Sequence, residues 1–394
     1  MKKLTILFAA VLFTLYIVQS TSYNAFAQWQ QVGLNSSNVL SIATDSTNIF
    51  AATDYGIYLS TDYGNSWTYK GLLGLGAASI VIDGTNIFAG GFGVYLSTDT
   101  GNTWSNIGLS NDTLTSLAVS GTNIFAGANN YYTGSGGVFL STDTGGLWTP
   151  VNNGLYDPSV TSLLINGNNI FAGTINGGVF LSIDTGSNWN QVNNGLTNFW
   201  IFSIASYGNN IFVGADSRVF LSTNNGNLWT PTDPIILAVW DFDTSGTNIF
   251  AGTTNGVFLS TNGGNLWTAV NNNGFLFPYT IRSIAIKGNY IYAGTEGGYG
   301  IWRRPLSEIL GIKENYNNIN MLCPNPTNGK FKITQTNNIK TIEVLNVFGE
   351  QIYYSNPAHF KSTIEVDLSS VPKGIYFVKV NNGVNTQTEK IVVQ

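Results

Sequence analysis

The chain has 394 residues, 43% of them hydrophobic and 9% charged, with 45 glycines and a formal net charge of −5. So little charge beside so much apolar residue excludes an intrinsically disordered polymer, which needs the opposite balance. A single cysteine, Cys323, and a single histidine, His359, leave no intramolecular disulfide, no His-based triad and no His-rich metal site. No metal or cofactor is expected.

In chain order, Lys2 and Lys3 precede an apolar run from Leu4 to Val18, and the polar stretch that follows ends at Ala25-Phe26-Ala27. A charged start, a short apolar core and an A-x-A end are the marks of a secretory signal peptide, here residues 1–27 with cleavage before Gln28. No later run reaches the roughly 18 apolar residues of a membrane-spanning helix, so no transmembrane segment is expected. Residues 28–304 hold six Lys/Arg and fourteen Asp/Glu, a net of −8, which disfavours nucleic acid and anionic lipid as partners.

The mature chain is organised around an eight-residue phrase. STDYGNSW at Ser60 returns as STDTGNTW, STDTGGLW, SIDTGSNW, STNNGNLW and STNGGNLW, with serines 37, 44, 41, 40 and 38 residues apart. A period near 40 marks a repeat architecture. The glycine suits a tight turn, and Asp62, Asp99, Asp143 and Asp184 suit capping of backbone N–H groups within it. Asn224 and Asn262 keep that ability, and the Trp opens the next strand with a large apolar face. A second phrase, NIFAGT and variants, begins at Asn48, Asn86, Asn123, Asn169, Asn210, Asn248 and Tyr290. That makes seven units, each reading as four short strands between Gly/Asn turns. The seventh stops after its third strand, and Trp29-Gln30-Gln31-Val32 matches the fourth-strand phrase Trp189-Asn190-Gln191-Val192. The expected fold is all-β: a seven-bladed β-propeller over residues 28–304 closed by an N-terminal strand.

The eight-residue phrase resembles the Asp-box, or BNR, repeat of sialidases, sortilin-like receptors and related propellers. In those families it forms hairpins remote from the functional face, which implies a structural role for the six Asp and Asn residues. The repeats are also similar to those of photosystem-assembly propellers, a role that the C-terminal segment argues against.

Residues 305–318 read as a linker, and residues 319–394 as a small antiparallel β-sandwich with Pro and Gly turns. This last segment resembles the C-terminal sorting domain of the type IX secretion system of Bacteroidetes. The resemblance rests on Pro324-Asn325-Pro326, Gly329, Val347-Phe348-Gly349, Lys373-Gly374 and the closing Lys390-Ile391-Val392-Val393. It implies the secretion machinery as a partner and a destination outside the cell or on its outer surface.

Candidate ligand contacts lie in loops leaving the fourth and second strands: Tyr55, Tyr131, Tyr132, Tyr156, Trp200, Phe275, Tyr279 and Tyr299. Such aromatics suit stacking on sugar rings or grasping a protein segment. Asp54 and Glu296 fall in equivalent loops of adjacent units and are the only carboxyl pair nominated for glycosidase chemistry, which needs two carboxyls about 5–10 Å apart. The arginine cluster of a sialidase is missing. The reading is a secreted, non-catalytic recognition or adhesion module; the alternatives are an extracellular glycoside hydrolase of the Asp-box class and a purely structural surface protein.

Overall fold

The computed structural model describes residues 29–74, 76–129, 136–232, 237–271, 279–310, 319–323, 326–335, 339–346, 349–356, 363–381 and 386–394. The expected signal peptide and the loops holding Tyr131, Tyr132 and Phe275, with Pro324 and Asn325, lie outside these residues. The chain divides into two compact units, one ending at Leu310 and one running from Gly311 to Gln394.

In the N-terminal unit, most repeats form a four-stranded antiparallel sheet in sequence order. The fourth repeat is representative: Val160–Asn166, Asn169–Thr174, Val179–Ser182 and Asn190–Gln191. Gly167 takes φ 61° at the first turn and a Cβ there would meet nothing, so backbone conformation alone selects glycine. The second strands carry the core. Phe50, Phe171, Phe212, Phe250 and Tyr292 are fully buried, each contributing about 1.5–3 kcal/mol of burial.

Two details depart from four equal strands. The fourth strands shrink to two residues in most repeats, as at Thr68–Tyr69 and Thr230–Pro231. Repeats two and three share one six-stranded sheet, because Asn86–Ser97 runs unbroken through the expected turn and Ser105–Ser120 spans two expected strands. Phe92 pairs with Thr113 across that extension. The N-terminal strand Gln30–Gly33 pairs with Ile301–Pro305, Gln31 opposite Trp302.

The Asp-box turns show why the phrase repeats. Ser60 Oγ donates to Asp62 Oδ1 (2.8 Å) and accepts from Gly64 N (2.7 Å), while Asp62 Oδ1 also accepts from Ser66 N (2.9 Å). The hydroxyls of Ser66 and Thr103, donating to Asp62 Oδ2 (2.7 Å) and Asp99 Oδ2 (2.6 Å), together with these bonds hold the two carboxyls down at about 2, and Asp143 and Asp184 are lowered by their own turn bonds. Asn224 and Asn262 accept from Leu228 N and Leu266 N at 2.9 Å in the same way. Each Trp then joins neighbouring sheets: the indole N–H of Trp67, Trp189 and Trp229 donates to the carbonyls of Val32, Val151 and Val192. Trp29 does the same to Val270 (3.0 Å), and Trp267 uses the Thr232 hydroxyl (3.2 Å).

A belt of hydrogen bonds joins the first strands. Ser41 Oγ accepts from Ile80 N, Ser79 from Leu117 N, Ser116 from Leu163 N, Ser162 from Ile204 N, and Ser283 from Ile42 N (2.8–3.2 Å). The last of these ties the seventh repeat to the first. In the sixth repeat Asp241 replaces serine; its Oδ2 accepts from Ile284 N (2.8 Å), but its Oδ1 also takes Phe242 N (2.9 Å). Phe242 N is therefore lost to Ser203, whose hydroxyl instead donates to Val239 O (2.9 Å).

The expected linker begins too early. Residues after Ile301–Pro305 form a short helix, Leu306–Ile309, and Leu306 packs with Trp302 and Trp29 while Arg304 donates to Val270 O. An apolar Leu306 with Ile309 and Leu310 has a core to join, so the unit extends to Leu310.

Among the described residues the C-terminal unit holds two antiparallel sheets, Ile319–Cys323 with Lys330–Gln335 and Thr363–Asp367, and Gln351–Ser355 with Thr341–Leu345, Gly374–Asn381 and Thr386–Val393. Phe331 and Val366 from one and Ile342, Val344, Val378 and Ile391 from the other share a core. Gly329, φ 103°, is required twice over: a Cβ would stand 2.7 Å from Ser369 Cα.

Candidate functional site

The nominated rim residues divide. Tyr55, Tyr156, Trp200 and Tyr299 are exposed, at 50, 65, 50 and 46%. Trp200 Nε1 donates to Asn176 Oδ1 (3.2 Å), and the Tyr156 ring packs edge-on to Phe180. Tyr279 is a correction: it is buried, stacked 4.3 Å from Tyr299 and 5.7 Å from Trp302. An apolar neighbourhood formed by the seventh repeat claims its ring for the core.

The Asp54 carboxylate bonds to the segment before the first strand of its repeat rather than within its own turn, accepting from Asn38 N (3.1 Å) and Asn38 Nδ2 (3.0 Å). Asn38 Oδ1 in turn accepts from Gly297 N (2.7 Å) and Gly298 N (3.1 Å). The loops of Asp54 and Glu296 are thus joined through Asn38. Among the described residues no His/Cys/Asp/Glu cluster is arranged to hold a metal.

A cavity that these nominations missed lies where the first strands begin. The pattern apolar-x-Ser-apolar occurs in Val39-Leu40-Ser41-Ile42 and again around Ala78, Thr115, Thr161, Phe202, Trp240 and Arg282, with Asp241 the one replacement for serine. In six of the seven repeats the strand bulges at this x residue, as between Val39 and Ser41 or Ile281 and Ser283. A bulge re-aims the skipped side chain, and all seven x residues line one cavity of about 290 Å³. Asn129 and Ile175 complete it. Ile175 follows its second strand, with its N–H bonded to the residue two before the bulge; Asp54, Asp216, Thr254 and Glu296 occupy the same position in their repeats. The cavity and the nominated loops therefore share a face.

The lining is asymmetric. Phe202, Trp240 and Arg282 form a stack, with ring centroids 4.3 Å apart and the guanidinium carbon 3.9 Å from the Trp240 centroid. A cation over an indole face is attracted by the ring quadrupole. Opposite stand Ala78, Thr115 and Thr161, whose small side chains leave the space. The threonine hydroxyls donate to backbone carbonyls, Thr115 to Val160 O (2.7 Å) and Thr161 to Ile201 O (2.6 Å). Trp240 Nε1 and Asn129 Oδ1 are buried with no partner. Desolvation pushes the Arg282 guanidinium down from its ordinary value, and the charge of Glu296 partly opposes this.

Residues 321–394 match the secretion system C-terminal sorting domain. The C-terminal unit is a type IX sorting domain. No curated protein matches the chain. Solved structures share its fold at low identity. PorZ of Porphyromonas gingivalis, described as an essential surface component of the type-IX secretion system, matches at 16% identity and TM-score 0.54, covering 91% of this chain and 59% of PorZ. The GH74 xyloglucanase of Xanthomonas campestris matches at 16% and 0.57, covering 72% and 54%. YCF48 from Cyanidioschyzon merolae matches at 14% and 0.55, covering 71% and 98%. The chain spans little more than half the length of the first two. The sorting domain marks the protein for export to the cell surface or the extracellular space, the fold of the N-terminal unit is β-propeller-like, and no described helix is long and apolar enough to cross a membrane.

Proposed function

We propose that the mature protein is a non-catalytic recognition module: a closed seven-bladed propeller over residues 28–310, delivered outside the cell by the sorting domain. The belt from Ser41 round to Ser283 and Ile42, and the pairing of Gln30–Gly33 with Ile301–Pro305, support seven blades and closure. The observation that carries the recognition reading is the cavity ringed by one residue from each first strand, with orphaned polar atoms of Trp240 and Asn129 in its wall. Buried polar groups without partners are rare and mark places where water or a ligand completes the bonding. Exposed Tyr55, Trp200, Tyr156 and Tyr299 supply further apolar contact on loops of the same face.

The carboxyl pair argues against hydrolysis. Both Asp54 carboxylate oxygens are engaged by Asn38, whereas a glycosidase acid or nucleophile must reach the glycosidic bond. The test is a binding screen of the full mature chain against glycans, with analysis of products. Binding without turnover, reduced by Trp200→Ala, supports the reading; no binding to any glycan, or turnover, counts against it.

A further inference from the structure

The axial cavity has a chemistry narrower than its shape. Arg282 is half-buried, and among the described residues its guanidinium has no carboxylate within ion-pair distance and no hydrogen-bond acceptor; Glu296 acts on it only at longer range, and its close partner is the face of Trp240. Charges withdrawn from water are normally paired. Beside it, the Trp240 indole N–H lacks an acceptor and Asn129 Oδ1 lacks a donor. The wall thus offers a planar cation and a neutral N–H to an incoming anion, plus one acceptor to a neighbouring hydroxyl or amide.

The stack also limits how a ligand enters. Phe202 and Arg282 both pack against the Trp240 ring, so a sugar or aromatic ring must compete with them to stack on that indole and is met more readily at its N–H edge. The volume, about 290 Å³, stands at the lower limit of small-molecule sites, roughly 300 Å³, and admits a group of one-ring size. At the mouth, Asp54, Asp216 and Glu296 occupy equivalent loop positions. Their negative charge repels polyanions while leaving one cation within reach of a single small anion.

Building on the recognition reading above, we infer that this cavity binds a small carboxylate. Its carboxylate oxygens accept from the Arg282 guanidinium and Trp240 Nε1, and a neighbouring hydroxyl or amide of the ligand donates to Asn129 Oδ1. The chemistry is shared by a sugar acid and by the carboxylate of an amino acid, and the geometry favours a planar guanidinium over lysine for this task.

The test uses calorimetric titration of the full mature chain with D-glucuronate, N-acetylglycine and D-glucose. The expected result is binding of one or both carboxylates and none of glucose. Glucuronate alone assigns a sugar acid; N-acetylglycine alone assigns an amino-acid carboxylate. Arg282→Met, which keeps an unbranched chain over Trp240, should weaken the binding by roughly 10- to 100-fold, the scale of a charge-assisted bond. Trp240→Phe, which keeps the stack and removes the N–H, should weaken it severalfold. Unchanged thermal melts of both variants show that the fold is retained. Equal binding of glucose, no binding of either carboxylate, or an Arg282→Met variant that binds as wild type overturns the inference. If carboxylates fail while a glycan still binds in a Trp200-dependent way, the recognition reading stands and this inference alone falls.

Discussion

Asp241 is the sharpest point of strain in the belt of first strands, and its replacement by serine has a calculable consequence. Burial pushes its carboxyl up to about 7, the charge of Asp243 adds to this, and the N–H of Ile284 works against it. An unfolded aspartate titrates near 3.9. The folded state therefore holds a proton that the unfolded chain releases between about pH 4 and pH 7. The resulting stability is fully present below the lower value and is lost as pH rises through the upper one. The difference of about 3 units corresponds to about 4 kcal/mol, an upper bound because solvent still reaches part of the side chain. Asp241→Ser removes the titration and frees Phe242 N for the Ser203 hydroxyl, completing the belt. Urea unfolding of wild type and variant at intervals from pH 4 to pH 8 measures this. Wild type should lose stability across the window relative to the variant, and the variant should be the more stable at pH 8. A pH profile unchanged by Asp241→Ser, or a variant less stable at pH 8, refutes the reasoning.

Other predictions concern the staples, turns and export. Trp229→Phe keeps most of the buried ring but strands Val192 O, and should cost about 1–2 kcal/mol by denaturant midpoint; Trp267→Phe should cost less, since the Thr232 hydroxyl can turn to another partner. Gly145→Ala should destabilise by more than about 1 kcal/mol, because its φ is 100° and a Cβ would stand 2.4 Å from Ile107 Cδ1; thermal melting reads this. Asp62→Asn should be tolerated, as Asn224 and Asn262 make the same turn bonds, while Asp62→Ala should lower the melting temperature. Deleting residues 319–394 should leave the protein in the periplasm on cell fractionation, and surface display of the truncated chain would contradict the sorting assignment.

What the sequence made legible was governed by local chemistry. The Asp-box turns depend on a Ser, an Asp or Asn and a Gly within five residues, so their hydrogen bonds follow from the phrase itself. The kinship of Trp29-Gln30-Gln31-Val32 with the fourth-strand phrase was visible for the same reason, and Trp29 makes the same indole-to-carbonyl bond as Trp189. Exposure was harder to read. Tyr279 looks like Tyr299 in a loop, yet packing from Trp302 buries the first and leaves the second half exposed. The cavity was missed because a bulge is a property of strand pairing. Its signal was nonetheless present in six copies of apolar-x-Ser-apolar and one with Asp241 for the serine, where x varies from Ala78 to Trp240 between similar neighbours. A variable position inside a repeated frame is where repeats differ by function. The merged sheet of repeats two and three had no such signal, since Phe92-Gly93 reads as a turn and becomes a strand only by pairing with Thr113.

The central claim is recognition without catalysis at the cavity that Arg282, Trp240 and Phe202 line. A glycan array probed with the full mature chain and its Arg282→Met variant, with product analysis on every hit, tests it most directly. The account predicts that any glycan bound through this cavity carries a carboxylate, stays intact after incubation and is not bound by the variant. Cleavage of a bound glycan, abolished by Glu296→Gln or Asp54→Asn, would contradict it.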